Sequence, residues 1–284
     1  MSKNQKVKPV GLPDNLPPLR DVIATHNLRA EKKFGQNFLL DGNITDKIVR
    51  AVGDLDGQAV IEIGPGPGGL TRSLLRSSAR KIVAVEFDPR AVAALQDLRA
   101  ASAGRLEIIE GDALRFDLAA LVQAPRAIVA NLPYNIATPL LIGWLKQLYT
   151  DGSTYSSMTL MFQKEVAERI VARVGDKAYG RLAVISQWIC GCKKVFDLPP
   201  SAFTPPPKVK SSIVHFKPLG LLENSPSFAA MEAVTAAAFG QRRKMIRSSL
   251  KDYAGAIEAL ELDPTLRAEN LSLDDFVALA GFKP

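Results

Sequence analysis

Short apolar runs and helically spaced apolar positions alternate along the first two-thirds of the chain. The runs lie at about 58–63, 81–86, 106–110 and 126–130, and turn-forming residues bound them. Runs this brief, rich in Val and Ile, predict buried strands. Between them, residues 69–78, 89–100 and 137–149 carry apolar positions three and four apart, the spacing of amphipathic helices. Strands alternating with helices predict an α/β fold with a parallel, Rossmann-like sheet and right-handed crossovers. Upstream, residues 41–52 read as a helix capped by Asp41 or Asn43, with Ile44, Ile48 and Val49 on one face. Downstream, residues 158–162 predict a fifth strand and 163–173 its helix. Residues 182–192 and 213–217 predict two later strands.

Two stretches lack either period. Residues 1–24 are rich in Pro, Lys and Asn, broken by Gly11-Leu12-Pro13 and Leu16-Pro17-Pro18, and are expected to form a flexible arm. Residues 198–208 hold a cluster of prolines that predicts a stiff loop, either a connector or a lid. After Pro218 the pattern is helical only, at about 226–239, 241–253 and 272–280. The expected division is therefore an arm over 1–24, an α/β domain over 25–218 and a small all-helical domain over 219–284.

Composition narrows the function classes. With 284 residues, 47% of them hydrophobic, the chain can bury a sizeable core. A net charge of +7 favours a polyanionic partner such as nucleic acid. No apolar run is long enough to span a bilayer, and the polar N-terminus lacks a signal-peptide core. A cytoplasmic monomer is expected. Cys190 and Cys192 would share one face of a strand as reduced, half-buried thiols. A zinc site needs two more ligands and none lies nearby, so no metal is expected. His26 and His215 are far apart, and His215 sits in the alternating run 212–216, which does not favour histidine general-base chemistry.

The candidate chemistry begins where the first predicted strand ends. Glu62-Ile63-Gly64-Pro65-Gly66-Pro67-Gly68-Gly69 satisfies G-x-G-x-x-G through Gly64, Gly66 and Gly69. A dinucleotide would need backbone N–H donors for its pyrophosphate. Pro65 and Pro67 each delete one, and the Glu62 carboxylate would repel phosphate. A cationic, phosphate-free nucleoside fits better, and S-adenosylmethionine (SAM) is one. Glu86 ends the second strand about 20 residues on, where this fold places an acid against ribose hydroxyls. Asp112 follows the third strand and could accept from an adenine amine.

The fourth strand runs into Asn131-Leu132-Pro133-Tyr134. Ligands in open α/β sheets sit beyond the carboxyl ends of strands, so this turn would face the glycine loop. The Asn131 amide oxygen could accept one N–H of an exocyclic amine. Pro133 stiffens the turn so that a nearby carbonyl could accept the other. Tyr134 offers a face for stacking. Positioning would then do most of the catalytic work. In the last third, Arg243, Arg247 and Lys251 would form one stripe of a helix over 241–253, flanked by Arg242 and Lys244. That stripe reads either as a phosphate-tracking surface or as a solvated helix face.

Together these segments resemble the ribosomal RNA adenine dimethyltransferase family of class I SAM-dependent methyltransferases. The resemblance includes Lys33-Phe34-Gly35-Gln36-Asn37-Phe38-Leu39, the glycine loop, the Asn131–Tyr134 turn, Tyr179-Gly180-Arg181-Leu182, the proline-rich loop and Phe239-Gly240-Gln241-Arg242-Arg243-Lys244. It implies SAM contacts at Asn37, Leu39, Gly64, Gly66, Glu86, Asp112 and Asn131. It implies target-base contacts at Asn131, Leu132 and Tyr134. The family's main bacterial branch dimethylates N6 of two adjacent adenosines near the 3′ end of small-subunit rRNA, so the small ribosomal subunit or its precursor is the implied partner. A large-subunit rRNA methyltransferase, or an rRNA-binding assembly factor, stands as the competing expectation.

Overall fold

The computed structural model describes residues 16–28, 36–220 and 225–282. Residues 1–15 of the expected arm and 33–35 of the N-terminal motif lie outside these. The chain enters through α1 (Leu19–Thr25), β1 (Phe38–Leu39) and α2 (Gly42–Val52). Asp41 caps α2 by accepting from Asn43 N at 2.8 Å. Then follow β2 (Ala59–Ile63), α3 (Gly69–Arg76), β3 (Lys81–Glu86), α4 (Pro89–Ala94), α5 (Gln96–Ala101), β4 (Leu106–Glu110) and β5 (Arg126–Ala130). After α6 (Tyr134–Thr150) come β6 (Ser157–Gln163), α7 (Lys164–Val171), α8 (Arg181–Ile189), β7 (Cys190–Leu198), β8 (Phe203–Thr204) and β9 (Ser211–Pro218). The remainder is helical: α9 (Phe228–Gly240), α10 (Ile246–Ser249), α11 (Ala254–Ala259) and α12 (Leu273–Gly281).

Seven strands make one sheet in the order β4-β3-β2-β5-β6-β9-β7. The pairs β2–β3, β3–β4, β2–β5 and β5–β6 are parallel. Every residue of β2 is buried, as expected of a parallel strand covered on both faces. The chain steps outward from β2 to β3 and β4, then returns to β5 on the other side of β2. Adjacent loops therefore diverge at the β2–β5 boundary, which opens a crevice beyond the strand ends. Val60, Ile82 and Val129 face a core closed by Ile48 and Val52 of α2 and by Leu74 and Leu75 of α3.

Contacts divide the chain into two compact units. One comprises residues up to Leu141 with Thr154–Lys164 and Val195–His215. The other comprises Ile142–Ser153, Glu165–Lys194 and the chain from Phe216 onward. The helices after Pro218 thus share a unit with parts of α6, α7 and α8. Within it, Tyr149 packs against Trp188 and Phe228 with centroids 5.2 and 5.7 Å apart, and Phe239 stacks on Phe276 at 5.5 Å. Ser272 and Asp275 cap α12 reciprocally.

Three local expectations need correction. Residues 182–189 are helix, not strand, and β7 begins only at Cys190. An apolar run without alternation suits either state when it is buried on all sides. The helix expected over 241–253 is a turn, the four-residue α10, a 3-10 turn over Lys251–Tyr253 and then α11. Its continuity fails because Ile246 N and Arg247 N donate to Leu266 O and Pro264 O instead of to the preceding turn. Arg243, Arg247 and Lys251 therefore do not form one helical stripe. Finally, residues 19–24 are not irregular. Val22 of α1 and Leu28 pack against Ala91 and Ala94 of α4.

The proline-rich segment carries a 3-10 turn over Pro200–Ala202 and then β8, which pairs antiparallel with β1. Cys190 and Cys192 lie on β7, and burial pushes the Cys190 thiol up to about 12. His215 is a strand residue whose Nδ1 lies 2.9 Å from the Thr159 hydroxyl. Among the described residues no helix is long and apolar enough to cross a membrane.

The start of α3 is the tightest junction with β1. A Cβ on Gly69 would lie 2.2 Å from the Leu39 carbonyl oxygen. Gly69→Ala is therefore expected to lower stability by about 1–3 kcal/mol, the cost of overpacking a site that must shift backbone. The urea midpoint reads the loss, and an unchanged midpoint would mean that β1 is free to move away.

Candidate active site

A cavity of about 260 Å³ opens beyond the carboxyl ends of β2, β3 and β5. Asn37, Leu39, Gly64, Gly66, Glu86, Asp112, Asn131, Leu132, Pro133 and Tyr134, the residues singled out from the sequence as cofactor or target contacts, all line it. Their strands explain the convergence. Glu86 ends β3, while the glycine loop, Asp112 and Asn131 follow β2, β4 and β5, and these four strands are neighbours in the sheet.

The loop floor requires glycine. Gly66 has φ of +54°, and a Cβ there would lie 2.9 Å from the Phe38 ring. Glu86 braces the same loop. Its Oε2 accepts from Gly66 N at 3.0 Å, while Oε1 accepts from Phe87 N at 2.8 Å and Asp88 N at 2.9 Å. Burial raises its pKa, and these backbone donors oppose the rise. Three bonds leave the carboxylate with capacity for one more acceptor role.

The other acids differ in their partners. Asp88 caps α4 and pairs with Arg90 at 2.6 Å, and Arg90 holds its carboxyl below the ordinary range. Asp112 accepts from Leu114 N at 3.0 Å and lies 3.6 Å from the Arg115 guanidinium. Glu62 is 1% exposed, and its Oε2 has no hydrogen-bond partner. Burial pushes its pKa up to about 8. The nearby Thr71 hydroxyl opposes this without closing a well-formed hydrogen bond, and the Glu86 charge adds to the rise. Burial thus favours the neutral form of Glu62, and a cation beside it would favour ionisation.

The Asn131 turn is fixed from two sides. Asn131 Nδ2 donates to the Asn37 carbonyl at 3.0 Å. The amide nitrogen is thereby committed, and the oxygen faces the other way as an acceptor. Pro133 O accepts from Ile136 N as α6 begins. The Tyr134 hydroxyl meets Ser211 Oγ at 2.6 Å, which anchors the ring at its polar end. The Leu132 side chain is buried, so its backbone is what it can offer a ligand.

Other lining residues lie outside the set picked from sequence, and three of them, Glu62, Phe87 and Gln36, bear on the chemistry. Glu62 was noticed for its charge, but its orphaned oxygen depends on burial that only the fold reveals. Phe87 is 58% exposed, unusual for a phenylalanine, and directly follows Glu86. An aromatic one step past a strand-end acid was the available signal. Gln36 donates to Asp88 at 3.3 Å, linking the segment before β1 to the β3–α4 turn.

The five basic residues expected to meet RNA, Arg242, Arg243, Lys244, Arg247 and Lys251, lie in the other unit and are all exposed. Arg242 is engaged locally, with Glu269 at 3.1 Å and with the Lys177 carbonyl.

A sequence profile of the ribosomal RNA adenine dimethylase family matches residues 27–283. Ribosomal RNA small subunit methyltransferase A of Rhodospirillum rubrum is 55% identical over 270 residues, covering 94% of this chain and 92% of the relative. A dimethyladenosine transferase from Plasmodium falciparum superposes with a TM-score of 0.71 at 29% identity, covering 84% of this chain and 94% of that one. The 23S rRNA methyltransferase ErmE superposes with a TM-score of 0.64 at 24% identity, covering 86% and 98%, and shares the fold. A family profile spanning nearly the whole chain, and a cavity built where that fold places its ligands, lead to one assignment: the chain belongs to the ribosomal RNA adenine dimethylase family.

Proposed function

We propose that this protein transfers methyl groups from SAM to N6 of two adjacent adenosines near the 3′ end of small-subunit rRNA, within the small ribosomal subunit or its precursor. The observation that carries this reading is the committed amide of Asn131, whose oxygen is left to accept from an amine. The 55% identity to a small-subunit methyltransferase favours that substrate over large-subunit rRNA. Work on ribosomal subunits would place the enzyme in the cytoplasm.

The cavity suits SAM on its own chemistry. The orphaned Glu62 oxygen calls for a cation, and the glycine floor lets a nucleoside approach the backbone. Glu86 would take a ribose hydroxyl with its remaining acceptor capacity. Asp112 and the exposed Phe87 ring would hold adenine at its edge and face. When bound, SAM supplies an electrophilic methyl group on sulfur. The chain's part is to present the acceptor nitrogen. Asn131 Oδ1 accepts one N–H of the adenine amine and the Leu132 carbonyl the other, since the Pro133 carbonyl serves α6. Both bonds draw the lone pair away from conjugation with the ring and aim it. Tyr134, anchored through Ser211, gives the base a surface to stack on.

RNA docking is assigned to the exposed Arg243, Lys244, Arg247 and Lys251. With no single helical stripe, they would touch phosphates as separate points.

In single-turnover methyl transfer, Asn131→Ala should lose about 10- to 100-fold, the worth of one well-placed buried hydrogen bond. Tyr134→Phe should stay near wild type and Tyr134→Ala should lose about 1–3 kcal/mol of base positioning. Equal losses in the two tyrosine variants would transfer the role to the hydroxyl.

Without added ligand, the protein should become less stable as pH rises from about 4.5 to about 8. In that window folded Glu62 keeps a proton that the unfolded chain has released, so folding is linked to proton uptake. Above 8 this contribution levels off. Glu62→Gln should flatten the thermal midpoint across the window and weaken SAM binding in calorimetry. A flat wild-type profile would mean that Glu62 is already ionised.

Replacing Arg243 and Arg247 by Ala should weaken RNA binding without changing SAM affinity. The log–log salt slope should fall by about 1–2 units if both touch phosphate. Superimposable salt plots would make these residues solvated surface.

A further inference from the structure

A second cavity, of about 690 Å³, lies beside the β1–β8 ribbon, lined by Leu40, Ala202 and Thr204. Arg20 of α1 reaches it, as do Arg72 and Arg76, one turn apart on α3. Ser201 and Thr204 of the proline-rich segment add hydroxyls, and Asp41 is its lining carboxylate. Gly69 borders both this cavity and the active site.

The charges here are not balanced within the protein. Arg76 pairs with Asp46 at 2.5 Å. Asp41 is occupied with the first turn of α2. Among the described residues Arg72 forms no ion pair, and its Nε is buried without a hydrogen-bond partner. Burial and the neighbouring Arg76 charge both weigh against its protonated form. Arg20 is exposed and has no acidic partner among the described residues. A buried guanidinium N–H left unpaired beside a like charge is costly. A phosphate would relieve both, since the guanidinium fork matches phosphate oxygens.

We propose that this arginine-lined cavity receives a backbone phosphate of the RNA substrate, a nucleotide or more away from the base in the active site. The inference rests on the rRNA reading above. Gly69, where α3 begins, lines both cavities, so they adjoin, and RNA with a base in one would run its phosphates by the other. Phosphate capture here would fix the strand's register, while the Asn131 turn selects the reacting base.

The test uses the full chain and substrate rRNA, comparing wild type with the Arg20→Gln/Arg72→Gln double variant. The log–log salt slope should drop by about 0.7–0.9, one phosphate contact. The KM for RNA should rise while kcat and SAM affinity hold, the pattern of lost uniform binding. The thermal midpoint without RNA should not fall, because the variant removes an unpaired buried N–H and a like-charge repulsion. Arg72→Lys should keep most of the salt slope. Parallel salt plots with an unchanged KM would overturn the proposal. A midpoint lowered equally in Arg72→Gln and Arg72→Lys, with the slope intact, would assign Arg72 to structure and overturn it too. Inorganic phosphate supplies the remaining arm. If it raises the wild-type midpoint while the RNA salt slope is insensitive to the variants, the cavity holds a free anion and RNA is excluded. Methylation of the same RNA by the wild type tests the parent reading separately. Its absence would sink that reading, whereas parallel salt plots alongside normal methylation would sink only this one.

Discussion

The ladder between β2 and β5 sets the position of everything chemical in this protein. Ala59, Val60 and Ile61 pair with Arg126, Ala127 and Ile128, and the five apolar residues of this ladder are fully buried. Because β3 and β4 have already been laid down on the other side of β2, the two strands send their exits in different directions. The glycine loop leaves one and the Asn131 turn leaves the other. A slip of one residue in a strand buried on both faces would reverse each side chain. The register is thereby pinned by burial, and the separation of the two exits with it.

Around the crevice, four acids meet four different fates. Glu86 braces the loop, Asp88 caps a helix beside Arg90, and Asp112 holds its own turn. Among the described residues, Glu62 is the carboxylic acid with a buried oxygen that has no partner. The same acid type thus supplies rigidity in three places and latent charge in one. Removing a bracing acid would disturb the loop as well as any ligand, so a loss of binding at Glu86 has two physical sources.

Much of this was legible in the sequence, for reasons that also explain the failures. Strands β2 to β6 could be read because parallel strands buried on both faces leave compact apolar runs between turn residues. Glu86, Asp112 and the Asn131 turn could be read because each ends or follows such a run, and the sheet brings run ends together, whereas Asn37 and Leu39 were implied only by the family resemblance. Leu182–Ile189 misled because an apolar run without alternation encodes burial and not conformation. The helix expected at 241–253 misled because its decisive hydrogen bonds go to residues 264–266, beyond any local window. Helix α1 hid behind Pro17 and Pro18, and its packing partners lie some 70 residues later, at Ala91 and Ala94. The neutrality of Glu62 and the orphaned nitrogen of Arg72 are products of tertiary burial, which composition and spacing do not carry.

The bond from Asn131 to the Asn37 carbonyl bears on how two methyl groups come to sit on one nitrogen. In the proposed pose an unmodified adenine amine would bring two hydrogens to the turn, one for the amide oxygen and one for the backbone carbonyl. After one methyl is added, a single hydrogen remains for two acceptors. The amide cannot rotate to offer a donor in exchange, because its nitrogen is held by a carbonyl 94 residues away. The second round therefore starts with one acceptor idle and a bulkier amine in the same rigid frame. On the proposed reading, stacking on Tyr134 would carry a larger share of holding the base, and the half-modified nucleotide would be the more weakly gripped of the two substrates.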